Sequence, residues 1–245
     1  MVRVNEDCWN SIEGYIRIFT FDLLDVKSYV IVDNLKALVI DPCDNEQLYD
    51  YLESQSVNEV VILLTHEHYD HFTGLSGLRK RFGCTVICSL IAGKYITDAK
   101  KNLSYYGAYI TEALEKTNRN SSNMYIKPFV ESADIVFQEY YEFGFKGYNF
   151  FLYSTPGHSP GSSCILCKDK YNVPLAVFSG DSLMLDYPTH TNLPGGRIKD
   201  FLSITKPFLQ SLPHDIYLFP GHGSACKLKE ALANLDNING KMAWH

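Results

Sequence analysis

The stretch V-V-I-L-L-T-H-E-H-Y-D-H, Val60 to His71, decides the reading of this chain. Its first five residues form a short apolar run of the kind that fills a fully buried strand. The seven that follow crowd three histidines, a glutamate and an aspartate together. Ionisable groups at the end of a buried strand must be paired or must coordinate a metal. The pattern is not the helical H-E-x-x-H of zinc proteases, because the residue four after His66 is Asp70, and it follows a strand instead of opening an amphipathic helix. A loop rich in turn residues can aim several ligands at one point. Histidine and carboxylate suit borderline metals such as zinc, whereas a closed structural site more often uses several cysteines. Three histidines and an aspartate are more than one tetrahedral ion with a bound water requires. Either two metals are bound or some of these residues support the others.

Three later stretches supply what is missing: S-T-P-G-H-S-P-G-S-S (Ser154 to Ser163), F-S-G-D-S-L (Phe178 to Leu183) and L-F-P-G-H-G (Leu218 to Gly223). Each follows an apolar strand and sets one ligand-type side chain, His158, Asp181 or His222, beside glycine, which lets the chain turn sharply. Singly, each reads as an ordinary turn residue. Four such loops in one chain read as a metal centre.

Around these loops, apolar strands alternate with amphipathic segments. Strands are expected at Gly14–Phe21, Lys27–Asp33, Lys36–Asp41, Val60–Leu64 and Thr85–Cys88, with helices at about Asn45–Ser54 and Gly74–Phe82. The second half repeats the style, with strands at Asp134–Phe137, Tyr148–Tyr153, Ser163–Cys167, Pro174–Phe178 and Asp215–Leu218 and helices near Lys199–Leu209 and Lys227–Leu235. Two β-rich halves with helices suggest two facing mixed sheets covered by helices, in one domain over residues 1–245. From about Lys100 to Lys127 the pattern loosens into a tyrosine-rich insertion, read either as a surface excursion or as a lid whose Tyr105, Tyr106 and Tyr109 wall a pocket.

Composition narrows the partners. A formal charge of -6 with no basic run argues against nucleic acid or an anionic membrane surface. No apolar run approaches a membrane span and the first residues lack a signal-peptide core, so a cytoplasmic protein is expected. Seven scattered cysteines fit reduced thiols. Cys164 and Cys167 have the spacing of a metal or redox pair, yet lie inside the strand-like S-C-I-L-C and read as strand residues.

H-E-H-Y-D-H resembles the H-x-H-x-D-H signature of the metallo-β-lactamase superfamily. A-L-V-I-D-P (Ala37 to Pro42), P-G-H-S-P-G-S, G-D-S-L and P-G-H-G follow in the family order over nearly the whole chain. Within the superfamily the chain is most similar to the glyoxalase II group, the hydroxyacylglutathione hydrolases. The resemblance implies an α/β fold, an αββα sandwich of two mixed β-sheets flanked by helices. It implies two Zn2+, with iron or manganese as the other candidates, one held by His66, His68 and His158, the other by Asp70, His71 and His222, with Asp181 between them. It further implies a metal-bridged hydroxide attacking a thioester or related acyl ester, with Asp70 as the catalytic residue that orients or deprotonates the nucleophile. Glu67 points away from the ligands along the chain and is given a supporting role.

The substrate is where the chain departs from that group. Glyoxalase II enzymes carry a C-terminal helical domain with basic groups for glutathione, whereas about twenty residues follow His222 here. Small single-domain relatives have Gly-Arg-Thr-Asp-Leu-Pro-Gly-Gly where this chain has Thr189-His190-Thr191-Asn192-Leu193-Pro194-Gly195-Gly196. A simple glutathione thioester is therefore not expected. Tyr105, Tyr106, His190 and Asn192 are the candidate contacts to a small-molecule acyl substrate, His190 having backbone hydrogen bonding as its other reading. His214 and His245 read as surface residues. Two alternatives stand beside the hydrolase: a mononuclear iron persulfide dioxygenase-like enzyme using His66, His158 and Asp181, and a weakly catalytic or non-catalytic metal-binding regulatory protein. Oligomeric state is not legible.

Overall fold

The computed structural model describes residues 15–21, 24–107 and 127–239. The first half lays down β1 (Ile16–Phe21), β2 (Val26–Asp33), β3 (Lys36–Ile40), α1 (Glu46–Ser54), β4 (Glu59–Leu63), α2 (Leu75–Arg81), β5 (Gly83–Ser89), α3 (Leu90–Tyr95) and β6 (Ile135–Phe137). The second lays down β7 (Tyr140–Phe145), β8 (Tyr148–Ser154), β9 (Ser163–Lys168), β10 (Pro174–Gly180), β11 (Tyr217–Pro220) and β12 (Cys226–Lys227). Between β10 and β11 runs a helical stretch, Ile198–Asp200, a π turn Phe201–Thr205, then Lys206–Ser211. A short helix Leu228–Ala231 follows β12. The expected elements are present with ends shifted by up to two residues, except that the helix expected near Lys227–Leu235 is α-helical only over Leu228–Ala231 and continues as a 3-10 turn over Leu232–Asp236. Strands β7 and β12 and helix α3 are additions to the expected set. Helix α3 has six residues, too few for a helical repeat to show, and Ser89 caps it by accepting from the Ala92 amide.

Each sheet has six strands, in the orders β1-β2-β3-β4-β5-β6 and β12-β11-β10-β9-β8-β7. Both are mixed: β3, β4, β5 and β6 run parallel beside the antiparallel β1-β2-β3, and β10 runs parallel to β11 beside the antiparallel β7-β8-β9-β10. The period-two alternation sorts side chains into layers. Tyr29 and Ile31 of β2, Ile165 and Cys167 of β9 and Phe178 of β10 face the other sheet, where they form one cluster with Leu38, Leu63, Phe150 and Phe219. Their neighbours Val30, Cys164, Leu166 and Val177 point outward. Val30 meets Leu48 and Leu52 of α1 and Leu75 and Leu78 of α2. Cys164, Leu166 and Val177 meet Phe201 and Leu209 of the helical stretch. Helices, sheet, sheet and helices thus form the four layers of an αββα sandwich. Burying each large apolar side chain in these layers is worth about 1.5–3 kcal/mol. Cys164 and Cys167, three apart on a strand, fall on opposite faces and cannot share a ligand. The six described cysteines are all free thiols.

This topology positions the loops. The C-terminal ends of the parallel β3 and β4 share one edge of the first sheet, and those of β8, β10 and β11 share one edge of the second. Ser163 donates its amide to the Thr65 carbonyl at 2.7 Å, and Tyr29 donates its hydroxyl to the Pro220 carbonyl at 2.6 Å, so the two edges coincide. Of the insertion, the part up to Gly107 is described; Tyr109 lies outside the described residues. Its Asn102 carbonyl accepts from the Tyr69 amide at 2.9 Å, which ties the segment to the histidine-rich loop. Among the described residues no helix is long and apolar enough to cross a membrane.

Candidate metal centre

The loop leaving β4 carries Thr65 to Phe72, with a single 3-10 turn over Tyr69–His71. His66, His68 and His71 are buried, and the loops after β8, β10 and β11 bring His158, Asp181 and His222 against them. Donor atoms of His66, His68 and His158 lie within 4.8 Å of one another, as do those of Asp70, His71 and His222. Asp181 touches both groups, at 3.5 Å from His158 Nε2, 3.4 Å from His71 Nε2 and 3.3 Å from His222 Nε2. All seven expected ligand-type residues therefore meet at one place. Glycine makes room there: a Cβ on Gly221 would collide with Asp181 Oδ1 and stand 2.6 Å from His71 Cε1.

The hydrogen bonds behind the rings set which nitrogens face inward. An ionised carboxylate only accepts. Asp41 Oδ1 takes the Thr65 amide at 2.7 Å, while its Oδ2 takes the Thr65 hydroxyl at 2.6 Å and His71 Nδ1 at 3.0 Å. The Thr65 hydroxyl, its proton given to Asp41, accepts from His66 Nδ1 at 3.1 Å. His158 Nδ1 donates to the His190 carbonyl and His222 Nδ1 to the Leu24 carbonyl, both at 2.7 Å. Four Nε2 lone pairs are thus turned inward. Asp41 serves the Nδ1 side of two rings, which makes it an orienting residue although it lies within ligand distance of His66 and His71.

Electrostatics separates the two groups. Burial holds His66, His68 and His158 below the usual imidazole range, and for His66 and His68 the neighbouring rings add to it. Burial would lower His71 and His222 as well, but Asp181, together with Asp70, outweighs it and raises both. Burial would raise Asp181, yet the His222 and His71 rings hold it well below the carboxylate range. The donor set fits metal ions. His66 Nε2 and Asp181 Oδ1 are buried without a hydrogen-bond partner. His68 Nδ1 stands 2.9 Å from His158 Nε2, and His71 Nε2 stands 3.3 Å from His222 Nε2. Converging imidazole nitrogens of this kind need a cation or a proton between them.

Residues 22–222 match the Metallo-beta-lactamase superfamily. The chain belongs to that superfamily. Its similarity to the probable metallo-hydrolase YqgX of Bacillus subtilis is 26% identity over 82% of this chain and 86% of the relative. The hydroxyacylglutathione hydrolase GloC of Haemophilus influenzae is 24% identical over 85% of this chain and 90% of its own. Among solved structures, the BLEG-1 B3 metallo-β-lactamase superposes with a TM-score of 0.68 at 25% identity, covering 88% of this chain and 95% of that one. Both the metallo-β-lactamase-fold reading and the glyoxalase II likeness agree with these findings. As a metallo-β-lactamase superfamily member the chain is a metal-dependent, hydrolase-like protein.

Other candidates are placed less centrally. Glu67 is buried away from the cluster, accepting from the Ser159 hydroxyl at 2.8 Å and the Gly161 amide at 3.3 Å, so it fastens the His158 loop to the His66 loop. His190 is half-buried; its carbonyl holds His158, its ring bonds to Asn192, and its Nε2 is buried without a partner. Asn192 itself is exposed. Tyr105 and Tyr106 are exposed and pack edge to face at 5.4 Å, with Lys100 over the Tyr105 ring. The structure does not bring these two tyrosines into the donor cluster. Sequence reasoning passed over Asp41 as an orienting residue, although a carboxylate closing the apolar A-L-V-I was a visible signal. The carbonyls of Leu24 and His190 carry no side-chain signal at all.

Proposed function

We propose that the chain is a binuclear zinc hydrolase of a thioester or related acyl ester. The observation that carries this reading is the position of Asp181, within 3.3–3.5 Å of histidines from both donor groups. His66, His68 and His158 would hold one ion, Asp70, His71 and His222 the other, with Asp181 shared. Bound there, the ions would supply a water nucleophile at neutral pH and polarise the acyl oxygen. The chain's own residues do the rest. Asp41, Thr65 and the two backbone carbonyls hold the rings in the tautomer that turns lone pairs inward. The side chains of Asp70, Asp181 and His222 keep 13%, 11% and 15% exposure while that of His71 keeps none, so substrate enters on their side. Asp70, at this mouth, orients the attacking water and takes its proton. His190 and Asn192 on one loop, and Tyr105 and Tyr106 on the segment bonded to Tyr69, are proposed as contacts to the acyl substrate. Hydroxyacylglutathione hydrolase relatives support a thioester as the substrate class.

The test is metal content measured together with turnover on a panel of thioesters, esters, lactones and phosphodiesters. Two zinc ions per chain with thioester or ester hydrolysis are expected. One iron per chain without hydrolysis would replace this reading with an oxygenase, and metal without turnover would replace it with a binding protein.

A further inference from the structure

The carbonyl that holds His158 belongs to a loop with no regular structure of its own, and the C-terminal segment ties that loop down. Asn239 donates its amide to the Thr189 carbonyl at 2.9 Å. Its side-chain Oδ1 accepts from the Thr191 amide at 2.7 Å, and its Nδ2 donates to the Thr191 hydroxyl at 3.1 Å. Thr189 also forms a parallel bridge with Ile238, and Asn234 Nδ2 donates to the Met184 and Leu185 carbonyls at 2.8 and 2.7 Å. Thr189 and Thr191 are both buried. His190 is thus clamped through both its neighbours by one asparagine, and its carbonyl is aimed at His158 Nδ1. Asn239 sits at φ +56, a left-handed conformation that asparagine tolerates better than most residues.

We infer that Asn239 is a positioning residue for His158, setting its tautomer and thereby the metal affinity of the His66, His68 and His158 group alone. The inference rests on the metal-centre reading above. Through the His190 carbonyl, Asn239 keeps the proton on His158 Nδ1 and the lone pair on Nε2, which faces His68 and Asp181. The other group is oriented by Asp41 and by the Leu24 carbonyl, neither of which is among the hydrogen-bond partners of Asn239. Partners behind a ligand typically govern affinity by 10–100-fold, and one step further out the lower end applies.

Asn239→Gly removes the side chain without straining a left-handed backbone. Zinc titration of the chelator-stripped protein, with competition by a colorimetric chelator, is expected to show two binding steps, one of them weakened roughly tenfold in the variant and the other unchanged. NMR of 15N-histidine in the stripped protein is expected to report the Nδ1-protonated tautomer of His158 in the wild type and a mixture in Asn239→Gly. Asn239→Asp, which keeps the acceptor for the Thr191 amide, is expected to restore most of both. Thr191→Val, which drops only the hydroxyl partner, is expected to weaken the same step by a smaller factor and serves if Asn239→Gly does not fold. Wild-type-like titration and tautomer in the variants overturn the clamp while leaving the centre intact. A wild-type protein that takes up no zinc overturns both.

Discussion

Asp41→Asn isolates the tautomer argument, because it keeps the size of the side chain and suits the left-handed backbone at φ +51. The amide oxygen can still take the Thr65 amide. The amide nitrogen then replaces Oδ2 and meets two donors, the Thr65 hydroxyl and His71 Nδ1, which stand at 2.6 and 3.0 Å in the native protein. Relief requires the Thr65 hydroxyl to turn toward His66 Nδ1 and the His71 proton to move to Nε2. Each change points a proton, instead of a lone pair, at the metal position, in one ligand of each group. Two charge-assisted hydrogen bonds in a buried site are lost, about 2–4 kcal/mol of stability, or about 5–15 °C in Tm for a chain of this size. Metal affinity should fall about 10–100-fold at both groups. Zinc content after dialysis against a buffered chelator, thermal unfolding of the stripped protein and kcat/KM give the three readouts. A variant that unfolds earlier yet keeps wild-type zinc affinity at both groups would refute the reasoning, since Asp41 would then be a structural acceptor only.

Asp181→Ala should lose at least one zinc ion per chain and nearly all turnover; full occupancy of both groups in that variant would rule out the shared carboxylate. Histidines bind metal as neutral rings, and the raised His71 and His222 keep their protons to higher pH than the lowered His66, His68 and His158. Zinc should therefore leave the Asp70, His71 and His222 group first as pH falls through and below the neutral range, and zinc content measured against pH would contradict this if both ions left together or in the reverse order. Replacing Tyr105 and Tyr106 by alanine should lower kcat/KM about three- to tenfold, through aromatic contacts worth about 1 kcal/mol, with metal content intact; unchanged kinetics would return the segment to surface decoration. Gly161→Ala places a Cβ against Glu67 Oε2 and 2.6 Å from the Ala92 amide nitrogen, and should cost about 1–3 kcal/mol in thermal unfolding, whereas an unshifted Tm would show that the Glu67 anchor can move aside.

Much of the sandwich was legible because its signals are local. Val60 to Leu64 and Ser163 to Cys167 are short apolar runs, and the helix expected from about Asn45 does begin there, with the Asn45 side chain capping α1 by accepting from the Gln47 and Leu48 amides. What escaped was short or nonlocal. Strand β7, Y-Y-E-F-G-F, carried an aromatic alternation that was passed over, and β12 is two residues long. The seven ligand-type side chains were legible because their chemistry is unusual beside glycine at strand ends. Their orientation was not, because it is fixed by backbone carbonyls at Leu24 and His190 and by the carboxylate of Asp41 just past the end of β3, 24 residues before Thr65. A sequence specifies donor types; which lone pair faces inward is decided by contacts made only after the two sheets have closed.

The same contacts explain why the two groups differ although their histidines are chemically alike. His66, His68 and His158 have their Nδ1 or Nε2 atoms among one another; the carboxylate in ion-pair contact with them is Asp181, 3.5 Å from His158, while Asp41 lies within 4.8 Å of a His66 ring nitrogen. His71 and His222 have Asp181 at 3.4 and 3.3 Å and Asp70 at 3.8 and 3.5 Å, and His71 has Asp41 behind it. Carboxylates attract protons and metal ions alike, so the second group gains cation affinity and proton competition together. The first group gains less of both, because burial outweighs Asp181 there, and it depends more on preset tautomers for its affinity. A ring already turned with its lone pair inward gives up no proton when an ion arrives. That places the burden of orientation on Thr65 and on the His190 carbonyl, and it is why the tether from Asn239 falls on the side of the centre that charge supports least.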